Sequence, residues 1–162
     1  ILADLNLEII RVLRQESEDG MQDGMDLSIC IIDKKKGEIH FSGARNGIYV
    51  IDTKSAKHYD ADLLPVGGFS SKKSKETERN YTQQKIKITK DNWVFMYTDG
   101  YVDQLGGEQM RSLGMKHFLE AIQETVHSKS EKNRGEVLKK KYDNWRKTIP
   151  PIDDVLIIGF KI

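Results

Sequence analysis

Trp93-Val94-Phe95-Met96-Tyr97-Thr98-Asp99-Gly100 is the stretch on which the reading of this chain turns. Its apolar, aromatic and β-branched residues stand between the turn formers Thr89-Lys90-Asp91-Asn92 and an Asp-Gly pair, a pattern that predicts a strand buried on both faces. A second run, Val155-Leu156-Ile157-Ile158-Gly159-Phe160, opens directly from Ile152-Asp153-Asp154 and reads the same way. Each run sets a carboxylate at the tip of a rigid strand. On neighbouring strands, two such carboxylates would form half of a hard-cation site. Mg²⁺ and Mn²⁺ take mainly oxygen ligands, with water and substrate completing the shell. Taken singly, an Asp-Gly after a strand is ordinarily a turn, and an Asp-Asp before one a polar start.

Working outward, Leu2, Leu5, Ile9, Val12 and Leu13 recur at helical spacing and predict an amphipathic helix over residues 2–15. Met25 to Ile32 reads as a strand, Lys34-Lys35-Lys36-Gly37 as a hairpin tip and Glu38 to Ser42 as its partner. After the turn Gly43 to Gly47, strands at Ile48 to Asp52 and Ala56 to Tyr59 would complete an antiparallel meander. Ser70 to Asn80 reads as a polar loop, and Tyr81 to Ile88 as an alternating strand with Ile86 and Ile88 on one side. Past Asp99, an irregular stretch with Gly106-Gly107 leads to two helices. One carries Met115, Phe118, Leu119, Ile122 and Val126, the other Val137, Leu138, Tyr142 and Trp145. Pro150-Pro151 stops the helical region and delivers the chain to Asp153. Strands, then two helices, then a returning strand predict an α+β fold with mostly antiparallel sheets.

At 162 residues, 1–162 suits a single domain burying roughly 70% of its unfolded surface. The balance of 26 Lys+Arg against 25 Asp+Glu argues against dedicated nucleic-acid binding, which needs a strongly basic face. Cys30 has no internal disulfide partner and reads as a structural thiol within a strand; a cytoplasmic location follows as the default. No stretch approaches the ~18 apolar residues of a membrane span, so no membrane contact by this domain is expected. The chain opens in mid-helix character without an initiator Met, which reads as a piece of a longer protein.

His40, His58, His117 and His127 lack the spacing of a zinc site, and no Gly-x-Ser-x-Gly elbow occurs. Gly67-Gly68 lacks the Gly-Lys-Ser/Thr ending of a phosphate-binding loop. The lysines at 34–36, 72–75 and 139–141 read as solvated surface.

Five segments, in order, resemble the SpoIIE-like branch of the metal-dependent PP2C (PPM) serine/threonine phosphatases. They are Asp23-Gly24-Met25-Asp26-Leu27, Phe41-Ser42-Gly43-Ala44-Arg45-Asn46-Gly47-Ile48-Tyr49, Leu64-Pro65-Val66-Gly67, Tyr97-Thr98-Asp99-Gly100-Tyr101-Val102-Asp103-Gln104 and Ile152 to Gly159. The resemblance implies a PP2C-like β-sandwich with flanking helices, its N-terminal strands absent from this chain. It also implies a dinuclear Mn²⁺ or Mg²⁺ centre with Asp99 and Asp153 as metal ligands. Asp103 matches an acidic position that in some relatives helps hold a third ion, although the partnering aspartate there is replaced here by Arg45-Asn46. Asp154 reads as a loop-stabilising acceptor, Gly100 as part of the strand-end motif, and Asn46 as a turn residue near the site. The implied chemistry is hydrolysis of phosphoserine or phosphothreonine by water shared between two ions roughly 3.5–4 Å apart.

The family's bridging aspartate belongs to a Gly-Asp-x-x-Gly-His-Gly-type motif that nothing here matches, so the isolated chain is expected to be inactive or nearly so. The expected partner is a phosphorylated protein, such as the anti-sigma-factor antagonists typical of bacterial members. A homodimer covering exposed edges near Ile29 and Ile31 is also expected. Two rival readings are a non-catalytic, phosphatase-like interaction module and an α+β binding domain without metal.

Overall fold

The computed structural model describes residues 1–17, 20–52, 55–68, 79–128 and 134–162; most of the polar loop expected at Ser70 to Asn80, with the lysines at 72–75, lies outside them. In chain order come helix α1 (Leu2–Val12) and strands β1 (Gly24–Met25), β2 (Leu27–Asp33), β3 (Glu38–Ala44), β4 (Ile48–Ile51), β5 (Ala56–Tyr59), β6 (Val66–Gly67), β7 (Gln84–Lys87) and β8 (Trp93–Tyr97). A short helix α2 (Gly100–Asp103) and the strands β9 (Leu105–Gly106) and β10 (Arg111–Ser112) follow. Helices α3 (Gly114–His127) and α4 (Arg134–Arg146) and strand β11 (Ile157–Lys161) complete the order. The elements fall into two compact units, Ile1–Ile48 with Tyr59–Thr89 and Tyr49–His58 with Lys90–Ile162.

In the first unit β2, β3 and β7 form an antiparallel sheet with β3 at its centre, Cys30 opposite Phe41 and Ile39 opposite Ile86. Alternation puts Ile39, Phe41 and Ile86 into the core. The Lys34–Gly37 tip forms because Asp33 Oδ1 accepts the amides of Lys35 and Lys36, both at 3.0 Å. Helix α1 stops at Val12, short of residue 15, because Arg14 turns into the left-handed region (φ 52°). Its buried Asn6 accepts the Gly67 amide at 2.9 Å, seating the helix on β6.

The expected meander from β2 through β5 is corrected by the structure. β3 pairs with β7, and β4 instead joins the second sheet. The chain leaves β3 at Arg45, held at φ 58°, with its amide donating to Asp62 O (2.7 Å) and Asp62 returning a bond to Gly43 O (3.0 Å).

The second unit carries the sheet β11-β8-β4-β5. β8 is central, and Val94 and Phe95 are buried as its composition predicts. β11 departs from expectation. It begins at Ile157 instead of Val155, lies at the sheet edge and leaves Ile158 48% exposed, so it is not buried on both faces. Helix α3 packs around the fully buried Phe118, whose ring lies 4.6 Å from Tyr97, 5.3 Å from Tyr101 and 5.9 Å from Tyr49, centroid to centroid. Such tilted and edge-on aromatic arrangements satisfy the ring quadrupoles. The stretch expected to be irregular after Asp99 contains α2 and the β9–β10 hairpin.

Candidate metal centre

β8 and β11 pair antiparallel with Tyr97 opposite Ile157 and Phe95 opposite Gly159. Beyond the ladder, the Thr98 amide donates to Leu156 O at 2.9 Å. The Thr98 hydroxyl accepts the Leu156 amide at 2.9 Å and donates to Asp154 O at 2.8 Å. One β-branched residue therefore ties the end of the central strand to the loop that carries the acidic pair.

Asp99 follows as the N-cap of α2, with helical backbone (φ −68°, ψ −20°) and no side-chain capping bond. Its carbonyl accepts the Asp103 amide at 2.9 Å, so Asp103 stands one turn further along the same short helix. Gly100 packs directly against the acidic loop. A Cβ there would stand 2.5 Å from Asp154 O and 3.2 Å from the Asp153 carbonyl carbon. Only glycine lets the two backbones approach so closely. Across this contact, Asp153 Oδ1 accepts the amide of Asp154 at 2.7 Å, while Asp154 takes its loop-closing bond at its backbone carbonyl. The side chains of Asp99, Asp103, Asp153 and Asp154 belong to exposed residues.

The structure thus sets the loops of Asp99 and Asp153 side by side within one unit. Asn46 stands in the other unit, in the turn between β3 and β4, where its carbonyl accepts the Ser28 hydroxyl at 2.5 Å. Several histidines have structural partners: His58 bonds the Tyr97 hydroxyl at 3.0 Å, and His117 the Leu113 carbonyl at 2.7 Å. Cys30 is half-buried in β2, and burial pushes its thiol up to about 11.

One residue that the sequence reading quoted only as part of a motif proves central here. Gln104, fully buried after α2, donates from Nε2 to Pro150 O at 3.2 Å and to Leu105 O at 3.1 Å. Its Oε1 accepts the Tyr142 hydroxyl at 2.6 Å and the Ile152 amide at 3.3 Å. The only sequence signal was a polar residue directly following an acidic turn.

The donor set can be tested against a hard cation. Asp99 and Asp153 offer exposed, oxygen-only, negatively charged ligands on adjoining loops, which suits part of a Mg²⁺ or Mn²⁺ shell that water would complete. Among the described residues no group of three or more His, Cys, Asp or Glu side chains could hold a metal. The fit is therefore to part of a centre.

A family model described as Stage II sporulation protein E (SpoIIE) matches residues 1–162. The chain belongs to the SpoIIE family. Solved structures agree with this family's fold at low identity. The SiaA-PP2C domain of Pseudomonas aeruginosa is 18% identical with a TM-score of 0.83, the match covering 99% of this chain and 59% of that one. A bacterial serine phosphatase is 11% identical with a TM-score of 0.65, over 98% of this chain and 65% of that one. The phosphatase domain of the cell fate determinant SpoIIE from Bacillus subtilis is 12% identical with a TM-score of 0.58, covering 95% of this chain and 73% of that one. The same Bacillus domain is also known in an Mn-presoaked form. No curated protein matches. This SpoIIE-family chain spans only 59% of the SiaA domain, and its fold is the α+β, PP2C-like fold of serine phosphatase domains. Among the described residues no helix is long and apolar enough to cross a membrane.

Proposed function

We propose that the chain is the C-terminal portion of one protein serine/threonine phosphatase domain, with Asp99 and Asp153 as metal ligands. The observation that carries this reading is the contact of Gly100 with the Asp153-Asp154 backbone, which sets two carboxylate-bearing loops edge to edge. Asp99 is presented by the rigid central strand β8, and Asp153 by a loop that the Thr98 hydroxyl holds to that strand. The bond from the Asp154 amide engages Asp153 Oδ1, so the second carboxylate oxygen would be the one offered to an ion. Asp103, on the same short helix, would hold water or a weaker ion. A bound Mn²⁺ or Mg²⁺ pair supplies an activated water for in-line attack on a phosphoserine or phosphothreonine ester. The substrate class proposed is a phosphorylated signalling protein, of the anti-sigma-factor antagonist kind, met in the cytoplasm. Two carboxylates alone hold such ions weakly, so activity requires a further carboxylate from outside Ile1–Ile162.

The test is Mn²⁺-dependent hydrolysis of a phosphoserine peptide by the chain alone and by the chain joined to the upstream residues of its own gene. The chain alone should be inactive or nearly so and the longer form active. Asp99→Asn and Asp153→Asn should each lower the rate of the longer form by about 100-fold or more, since metal sites lose that much even when a ligand's support is disturbed. Wild-type rates in either variant would overturn the assignment. The second reading is a non-catalytic, phosphatase-like module that binds a phosphoprotein, and retention of Asp99 and Asp153 speaks against it. Phosphopeptide binding without turnover by the longer form would establish that reading.

A further inference from the structure

We infer that Gln104 is a positioning residue, its buried carboxamide fixing where Asp153 stands relative to Asp99. Pro150 and Pro151 have no amide hydrogen, so Ile152 carries the first N–H of that segment able to bond. Gln104 takes it. The carboxamide meets the segment as a neighbouring strand would, donating to Pro150 O and accepting from Ile152 N–H. Thr98 grips the far side at Asp154 and Leu156. Asp153 is therefore bracketed by anchors on both adjoining residues. Both anchors belong to the stretch from Thr98 to Gln104 that also carries Asp99, so one short segment is a template for both carboxylates.

The carboxamide is in turn held from behind. Its Oε1 accepts the Tyr142 hydroxyl, and the Gln104 carbonyl accepts the Leu113 amide at 2.9 Å and the Trp145 indole N–H at 3.0 Å. Both donors on Nε2 and both acceptor positions on Oε1 are used, so no rotation of the amide preserves the set. It reaches residues 46 and 48 positions away, at the base of the acidic loop.

The consequence at the ion rests on the phosphatase reading, and the experiment separates the two. Amide hydrogen exchange and Mn²⁺ affinity, read by paramagnetic relaxation, are measured on the full chain with and without its upstream residues. The variants are Gln104→Leu, Gln104→Glu and Tyr142→Phe. Gln104→Leu should speed exchange at Ile152 and Asp154 by about 10-fold while the amides of β8 and α3 stay within about 2-fold, because a local opening is released without global unfolding. It should also weaken Mn²⁺ binding by about 10-fold, the lower range for loss of support to a metal ligand. Gln104→Glu retains the acceptor for Ile152 and should fall between wild type and Gln104→Leu. Tyr142→Phe leaves both loop bonds in place but removes the support behind the carboxamide, and should also fall between wild type and Gln104→Leu.

The inference is overturned if exchange at residues 152–154 is unchanged or if Mn²⁺ affinity survives loosening of the loop. It is overturned equally if Gln104→Leu and Gln104→Glu both loosen or unfold the whole unit. If the wild type binds no Mn²⁺ in either form, the phosphatase reading falls, and the exchange pattern still decides whether Gln104 holds the loop.

Discussion

Replacing Gly100 with alanine tests the geometry of the candidate centre through a single methyl group. The added carbon would stand 2.5 Å from Asp154 O, 3.0 Å from its carbonyl carbon and 3.2 Å from that of Asp153. A comfortable carbon–oxygen contact needs about 3.3 Å or more, so the acidic loop must retreat by about 1 Å. Both atoms in the way are backbone, and no flexible side chain can yield in their place. Overpacking of this kind costs about 1–3 kcal/mol. Alanine gains back up to about 1 kcal/mol over glycine within the helix that begins here. The net loss of about 1 kcal/mol should lower the melting temperature by about 3 °C in a chain of this size. The effect on chemistry should be far larger, because a displacement of about 1 Å at a reacting centre costs about 100-fold in rate. Thermal unfolding, Mn²⁺ titration and phosphopeptide hydrolysis by the longer form would together show a nearly normal fold with a disabled centre. If Gly100→Ala binds Mn²⁺ and turns over substrate as the wild type does, the adjoining loops have no part in the site.

Two further outcomes follow from packing and ionisation. Phe118→Ala removes the ring at the centre of the Tyr49, Tyr97 and Tyr101 cluster and should destabilise the second unit by about 3–5 kcal/mol in chemical denaturation; a loss below about 1 kcal/mol would show that the cluster does not carry that unit. Burial holds the Cys30 thiol at about 11, above its ordinary 9.0, so the folded chain keeps it protonated between those values while the unfolded chain ionises it. Stability from this residue is therefore present below pH 9 and lost as pH rises through 11. At pH 8 its reaction with a disulfide reagent should run about 100-fold slower than that of a free cysteine peptide, because the thiolate is the reactive species. Rapid labelling in the folded state would contradict the burial.

Features that rest on local pattern were legible in the sequence. The alternation of Ile39 with Phe41 and of Ile86 with Ile88, the helical spacing of Phe118 and Ile122, and the Asp-Gly at the end of β8 each need only a few neighbouring residues to specify them. Features that depend on distant partners were not. The run opening at Val155 has the composition of a buried strand, yet among the described residues β11 is an edge strand beside β8, and Ile158 on it is exposed. The departure of the chain from the first sheet is made by Arg45 in a left-handed turn, a role that sequence habit gives to glycine or asparagine. In the candidate site the acidic residues were readable as types. The register that joins their loops, and the contact of Gln104 with Ile152, link residues 48 to 68 positions apart and leave no local signature.

The Thr98–Asp154 bond spans 56 residues, and that interval acquires a meaning in time when the polypeptide is made. At about 5–20 residues per second, a ribosome needs about 3–11 s to pass from one partner to the other. Throughout that wait the flank of β8 that β11 will cover stays open, with the greasy side chains of Val94 and Phe95 close behind it. A slow codon in this window would prolong the life of a half-made sheet with an open strand edge.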